Sequence, residues 1–188
     1  MKSRNVICIL FACMALAALS GCVAQDKGAS TPAGFVIPKV NLPEGFKLLA
    51  ALPENDATVN MTEYIKRFYG AKEIGPAKAA IGIYQWGTPG VAFDSRITLI
   101  QLQDEEHAKA AIANYESQEE YQNLLARGIQ IFGNATINGH PVREIKDPND
   151  DLSVKKYIYL WNTGSTVVLV EGNGDLGKSR DLAGATGL

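Results

Sequence analysis

Cysteine, histidine and long apolar runs are scarce in this chain, and each scarcity excludes a class of chemistry. The three cysteines, Cys8, Cys13 and Cys22, all fall within the first 22 of 188 residues. With none beyond them, the remainder can hold no disulfide framework, no thiolate zinc cluster and no cysteine nucleophile. The two histidines, His107 and His140, have no second ligand at metal-binding spacing, so no metal site is expected. No Ser/His/Asp order, His-Glu-x-x-His motif or nucleophile elbow occurs. The acidic run Asn149-Asp150-Asp151 lacks the alternating ligands and terminal glutamate of a calcium loop and reads as a solvated turn. Neither metal nor cofactor is expected.

Charge of one sign is also missing. Eighteen Lys and Arg stand against twenty Asp and Glu, a balance that argues against nucleic acid and against attraction to anionic lipid heads. The longest apolar run, Val6 to Leu19, has fourteen residues, short of the roughly 20 that span a bilayer. It follows Lys2 and Arg4, which makes it a secretion signal rather than a membrane helix.

That segment ends in Leu19-Ser20-Gly21-Cys22, which resembles the lipobox of prokaryotic lipoproteins. The resemblance implies cleavage before Cys22 and attachment of a diacylglyceryl-type lipid to its thiol. Residues 1–21 are then the signal peptide, and the mature chain carries 16 basic and 20 acidic residues, a charge of −4. One diacyl group supplies the two chains that stable anchoring requires, so the resemblance places the domain outside the cytoplasm, held at the membrane or envelope by lipid. The anchor Ser20-Gly21-Cys22-Val23 and the look of the domain also resemble small lipoproteins of methanogenic archaea, a family that brings no activity with it. In a double-membraned bacterium, Val23 after the lipidated cysteine is compatible with delivery to the outer membrane.

Residues 22–41 are rich in Gln, Asp, Lys, Gly, Ser, Thr, Pro and Ala and read as a tether, with a root-mean-square span of roughly 25 Å. Its apolar run Phe35-Val36-Ile37 is suited to begin docking on the domain. Residues 42–188 are long enough for one core.

Within that domain two stretches follow one plan. Ile83-Tyr84-Gln85-Trp86-Gly87-Thr88 matches Ile158-Tyr159-Leu160-Trp161-Asn162-Thr163 at four of six positions, and each precedes an apolar strand and an Asp-capped helix. Asp104 caps the strongest helix, with Ala108, Ala111, Ile112 and Tyr115 on one face. Ser117 and Glu120 form a capping-box pattern for the next helix. Asn138-Gly139 marks a hairpin. The expected fold is α+β: a mainly antiparallel sheet with helices on one face and an internal strand-strand-helix duplication.

Strand alternation puts Tyr84 and Trp86 on one side, and Tyr157, Tyr159 and Trp161 likewise. With aliphatics turned to the helices, these five form a candidate face for a sugar, a lipid or an apolar partner; burial under the tether, the first helix or a long loop is the favoured expectation. A second motif, Gly172-Asn173-Gly174-Asp175-Leu176-Gly177-Lys178-Ser179, fits the phosphate-loop pattern, in which Gly172 and Gly177 shape the loop, Lys178 reaches phosphate and Ser179 holds magnesium. Against it, only nine residues follow Ser179, the preceding strand belongs to a hairpin, and Asp175 is negative; a turn capped by Asp175 is favoured. Asn60-Met61-Thr62 and Asn134-Ala135-Thr136 are candidate glycosylation acceptors. The leading expectation is a lipid-anchored, non-catalytic module that binds a protein, a glycan or another envelope ligand. The alternative is a hydrolase, either nucleotide-dependent through the glycine-rich loop or using two distant carboxylates.

Overall fold

A run such as Val167-Val168-Leu169-Val170 is stable in a strand only if both faces of that strand are covered. In the computed structural model, which describes residues 36–52, 60–87 and 93–188, this run lies in the central strand of a seven-stranded sheet. The strands are β1 (Phe46–Leu52), β2 (Lys78–Trp86), β3 (Phe93–Gln101), β4 (Phe132–Ile137), β5 (His140–Pro148), β6 (Val154–Thr163) and β7 (Thr166–Glu171). Their spatial order is β1-β2-β3-β7-β6-β5-β4, and every neighbouring pair is antiparallel. The helices are α1 (Met61–Ile65), continued by a 3-10 turn over Lys66–Phe68, α2 (Glu105–Glu116), α3 (Glu119–Ala126) and α4 (Leu176–Gly184). The protein is thus α+β with a sheet-dominated core.

The helices do not share one face, contrary to the sequence expectation. Ala108, Ala111 and Tyr115 of α2 and Tyr121 of α3 pack with Ile145, Ile158, Leu160, Val167 and Leu169 on one side. Leu182 and Ala183 of α4 pack with Tyr84, Tyr159, Trp161, Val168 and Val170 on the other. The continuous apolar character of β7 is the physical reason: alternate residues feed two separate cores, and each needs its own cover.

Local chemistry explains the boundaries. Asp104 accepts from the His107 backbone N–H at 2.9 Å and starts α2. Asn138 and Gly139, at φ 48° and 84°, make the turn between β4 and β5, the two left-handed residues that a tight hairpin demands. The capping box expected at Ser117 does not form. Ser117 closes α2, donating its hydroxyl to the Asn114 carbonyl at 2.9 Å, and Gln118 takes the N-cap of α3 without a side-chain cap. Glu120, the other half of the box, is paired with Arg67 instead.

Arg67 is the centre of the clamp over this face. Its guanidinium lies 4.5 Å from the Tyr115 ring centroid and 5.2 Å from that of Tyr121, and it donates to the Tyr115 hydroxyl at 3.1 Å. Asn114 completes the clamp. Buried on α2, it donates Nδ2 to the carbonyls of Phe68 and Lys72 at 3.0 and 2.7 Å and accepts the Lys72 N–H at 3.0 Å. Three bonds from one amide fix the chain that leaves the 3-10 turn.

On the opposite face the body begins before Leu42. Ile37 is buried there, and the Pro38 carbonyl accepts from the Tyr84 hydroxyl at 2.8 Å. Gly82 makes room for this strap, since a Cβ at that position would stand 2.7 Å from the Tyr84 hydroxyl and overlap Ile37. The expected signal peptide, Cys22 and most of the tether lie outside the described residues. Among those described, no helix is long and apolar enough to cross a membrane.

Candidate functional site

Every strand that ends at one rim of the sheet must pass its last polar groups to a loop, and here β7 does so through glycine. After Glu171 the chain stays paired with β6: Gly172 donates its N–H to the Tyr157 carbonyl, and Tyr157 donates to the Asn173 carbonyl, both at 2.9 Å. It then turns into α4, whose first free N–H groups need acceptors. Asp175 supplies one, its Oδ1 accepting from the Lys178 N–H at 2.9 Å.

Ser179 is wholly buried beneath this turn. Its hydroxyl accepts from the Asn173 N–H at 3.0 Å and donates to the Asn173 carbonyl at 3.1 Å. Gly172 lies flush against it, and a Cβ there would overlap the serine Oγ. Lys178 points back toward the start of β1, with Nζ 3.4 Å from the Glu44 carbonyl. Gly177 is exposed, and a Cβ on it would sit 3.4 Å from the Asp175 carboxylate. The phosphate-loop residues are therefore adjacent but differently employed. The serine is sealed under the turn, a carboxylate occupies the helix N-terminus where phosphate would sit, and β7 is antiparallel to both neighbours.

Beside this turn opens a cavity of about 450 Å³. Trp86 forms one wall, Val154, Lys155 and Lys156 of β6 another, and Asn173 and Asp175 the rim of the turn. The indole of Trp86 is backed by Gly45, whose φ of +86° and lack of a side chain let the ring approach. Asn173 is buried, and its Oδ1 accepts the Asp175 N–H at 2.8 Å. That bond fixes the amide's orientation and leaves Nδ2 as a buried donor without a hydrogen-bond partner among the described residues. Lys156 stands opposite Asp147 in the β5–β6 register. Burial pushes the Asp147 carboxyl up, and the positive charges of Lys155, Lys156 and Arg67 work against that rise.

The aromatic face anticipated from alternation exists, but it is covered. Tyr84, Tyr159 and Trp161 are buried under α4 and the strap at Ile37, in one cluster. Tyr157 and Trp86 are half-buried at its margin. Only Trp86 of the five lines the cavity at the turn. Burial drives the Tyr84 and Tyr159 hydroxyls well above their usual range; Tyr159 donates to the Glu144 carboxylate at 3.2 Å, which also accepts from Arg180 of α4 at 3.1 Å. This triad fastens α4 to the sheet. Glu144→Ala is expected to destabilise the fold by about 1–3 kcal/mol, because it strands the buried tyrosine hydroxyl. Chemical denaturation would show this, and an unchanged midpoint would deny the triad that role.

The remaining sequence candidates are scattered. Asn60 is exposed at the start of α1 and makes no side-chain cap. Asn134 is exposed on edge strand β4, where its Oδ1 accepts from Arg143 at 2.9 Å. His107 rests against its own cap, Nδ1 to Asp104 at 2.7 Å, and His140 begins β5. Among the described residues, no group of three or more His, Cys, Asp or Glu side chains could hold a metal ion. Lys155, Lys156 and Asn173 were not singled out by the sequence. Asn173 stands inside the glycine-rich motif, and the apolar strand running into that motif is the signal that pointed to its neighbourhood.

Compared with protein-family models, with curated proteins and with solved structures, the chain matches none.

Proposed function

We propose, with no relative to lend an activity, that this chain is a lipid-anchored extracytoplasmic lipoprotein whose α+β domain is a non-catalytic binding module. The anchor reading rests on Leu19-Ser20-Gly21-Cys22 behind a basic and apolar leader. The binding reading rests on one observation: a largely apolar cavity of about 450 Å³ at the sheet rim, lined by Trp86, the start of β6 and the turn from Gly172 to Asp175. Convergence of a few polar groups on a largely apolar hollow is the usual form of a ligand site. The partner surface moves accordingly, from a broad aromatic row to the margin that Trp86 marks.

The glycine-rich loop gives the hydrolase alternative no support. Its serine and its helix N-terminus are already committed to the turn itself. We also propose that β2–β3 and β6–β7 repeat one strand-pair plan. Tyr84 with Tyr159, and Trp86 with Trp161, stand on the same face in support of it. A rotation relating antiparallel β3 to β7 runs perpendicular to the sheet and would keep both helices on one face, so α2 and α4, on opposite faces, lie outside the plan.

The anchor is tested in cells fed a radiolabelled or clickable fatty acid or isoprenoid. The native chain is expected to take up label and to sediment with membranes, and Cys22→Ala is expected to lose the label. Equal labelling of both forms would refute lipidation at Cys22.

A further inference from the structure

A sheet that does not close on itself leaves two edge strands, and each presents unpaired N–H and C=O groups to any strand that meets it. Among the described residues these edges are β1 and β4. β1 is blunted: its register breaks between Leu48 and Ala50, and Lys47 is exposed on it. β4 has neither device. Phe132-Gly133-Asn134-Ala135-Thr136-Ile137 carries no charge and no proline, and it pairs with β5 along its whole length without a shift.

The hairpin fixes which groups of β4 are left over. Ile137 and His140 close the two-residue turn as a hydrogen-bonded pair, and such pairs alternate along an antiparallel ladder. Thr136 faces Pro141, which has no N–H to give, and at the other end Lys146 donates to the Ile131 carbonyl at 2.9 Å; both agree with that phase. Gly133, Ala135 and Ile137 therefore bond to β5, while Phe132, Asn134 and Thr136 direct their N–H and C=O groups away from the sheet. Asn134 and Thr136 are exposed, so the edge is open.

Three outward residues centred on Asn134 make this edge complementary to itself. Turned by a two-fold axis through Asn134, a second copy sets Asn134 against its counterpart and Phe132 against the copy's Thr136, with every outward N–H meeting a C=O. Phe132 with Thr136 is the aromatic and β-branched combination that favours cross-strand contact. Asn134 suits the axis: its Oδ1 accepts from Arg143 at 2.9 Å, which leaves Nδ2 to donate to the opposite amide. The axis stands perpendicular to the sheet, so both straps at Ile37 stay on one face of the joined sheet, as two chains anchored in one membrane require.

We propose that β4 pairs with β4 of a second copy, forming one antiparallel sheet across two chains. This goes beyond the binding reading and does not depend on it; the anchor reading supplies only the shared membrane. The six residues of β4 are far fewer than the roughly 20–30 per side of a standard interface, so pairing is weak in free solution and strengthens when anchoring concentrates the copies.

Residue-resolved amide hydrogen exchange on the full-length chain in phosphatidylcholine vesicles, at low and high surface density, tests this. Gly133, Ala135 and Ile137 should be protected at both densities, and Phe132, Asn134 and Thr136 should slow about tenfold or more as density rises. Asn134→Asp still accepts from Arg143 but sets two carboxylates face to face across the axis; it should abolish the slowing without lowering the unfolding midpoint. Thr136→Pro, which removes an outward donor that the fold does not use, should do the same to Phe132 and Asn134. Outward amides that exchange freely at high density, or that are as slow in Asn134→Asp as in the native chain, would overturn the pairing. So would a glycan on Asn134 of the native chain, seen as added mass, because it would cover the edge instead. Should the chain prove unlipidated, the same comparison is made in solution from micromolar to millimolar chain, which keeps a failed anchor distinct from a failed pairing.

Discussion

Tyr115→Ala is expected to cost about 3–5 kcal/mol of folding free energy, seen as a large fall in the denaturation midpoint. Tyr115 is fully buried on α2, its ring 4.9 Å from Phe68 and 5.9 Å from Tyr121. Removing it opens a cavity under the clamp and takes from Arg67 its nearer aromatic face and its hydroxyl acceptor, leaving it Tyr121 and Glu120. Burial also pushes the Tyr115 hydroxyl well above its ordinary range, so the group is neutral in the fold and serves as acceptor for the arginine. Tyr115→Phe keeps the ring and should cost only about 1 kcal/mol. The contrast between the two variants, measured by urea denaturation, separates packing from the hydrogen bond. A loss under about 1 kcal/mol for the alanine variant would mean the face collapses freely around the gap.

Gly172→Ala is the second. The added methyl would overlap Ser179 Oγ and Cβ and stand 3.0 Å from the Ser179 Cα, so a backbone atom of α4, not a flexible tip, must give way. A loss of about 1–3 kcal/mol or more is expected, with the damage centred on the turn: Asn173 loses its serine partner and the cavity beside Trp86 changes shape. Gly172→Ala/Ser179→Gly, which deletes the clashing side chain, should recover part of the loss, less the roughly 1 kcal/mol that glycine costs inside a helix. Additive losses in the double variant would show that the glycine serves something other than this contact. A phosphate loop makes the opposite forecast, since there the glycine and serine answer to the ligand and not to each other.

What the sequence disclosed and what it withheld follow from the range of the forces involved. The β6–β7 and β4–β5 hairpins and the caps at Asp104 and Asp175 were legible because each is decided within about four residues. The pairing of β3 with β7 was not, because it joins Arg96 to Glu171 across 75 positions. Nor was the division of helices between two faces, although Thr166–Glu171, buried at every position, carried the warning of a doubly covered strand. At the site, alternation put the aromatics on one face, and cover by the tether was expected, as Ile37 supplies; that α4 shares in the cover was not legible. Asn173 looks like an ordinary turn residue in sequence; only the fold of β7 into α4 brings it to the cavity that Trp86 lines.

The strap at Ile37 and Pro38 has a mechanical meaning. Among the described residues, tension arriving from the N-terminal side reaches this strap before it reaches the sheet, and meets there one buried isoleucine and one bond from Tyr84. The next element in line is β1, paired on one side only among the described residues, so a pull would peel its bonds in succession instead of loading them together. The central strands would feel little until β1 was gone. Extension is therefore absorbed at this edge, and the rim near Gly45, where the indole of Trp86 rests, stands next to the part that yields first.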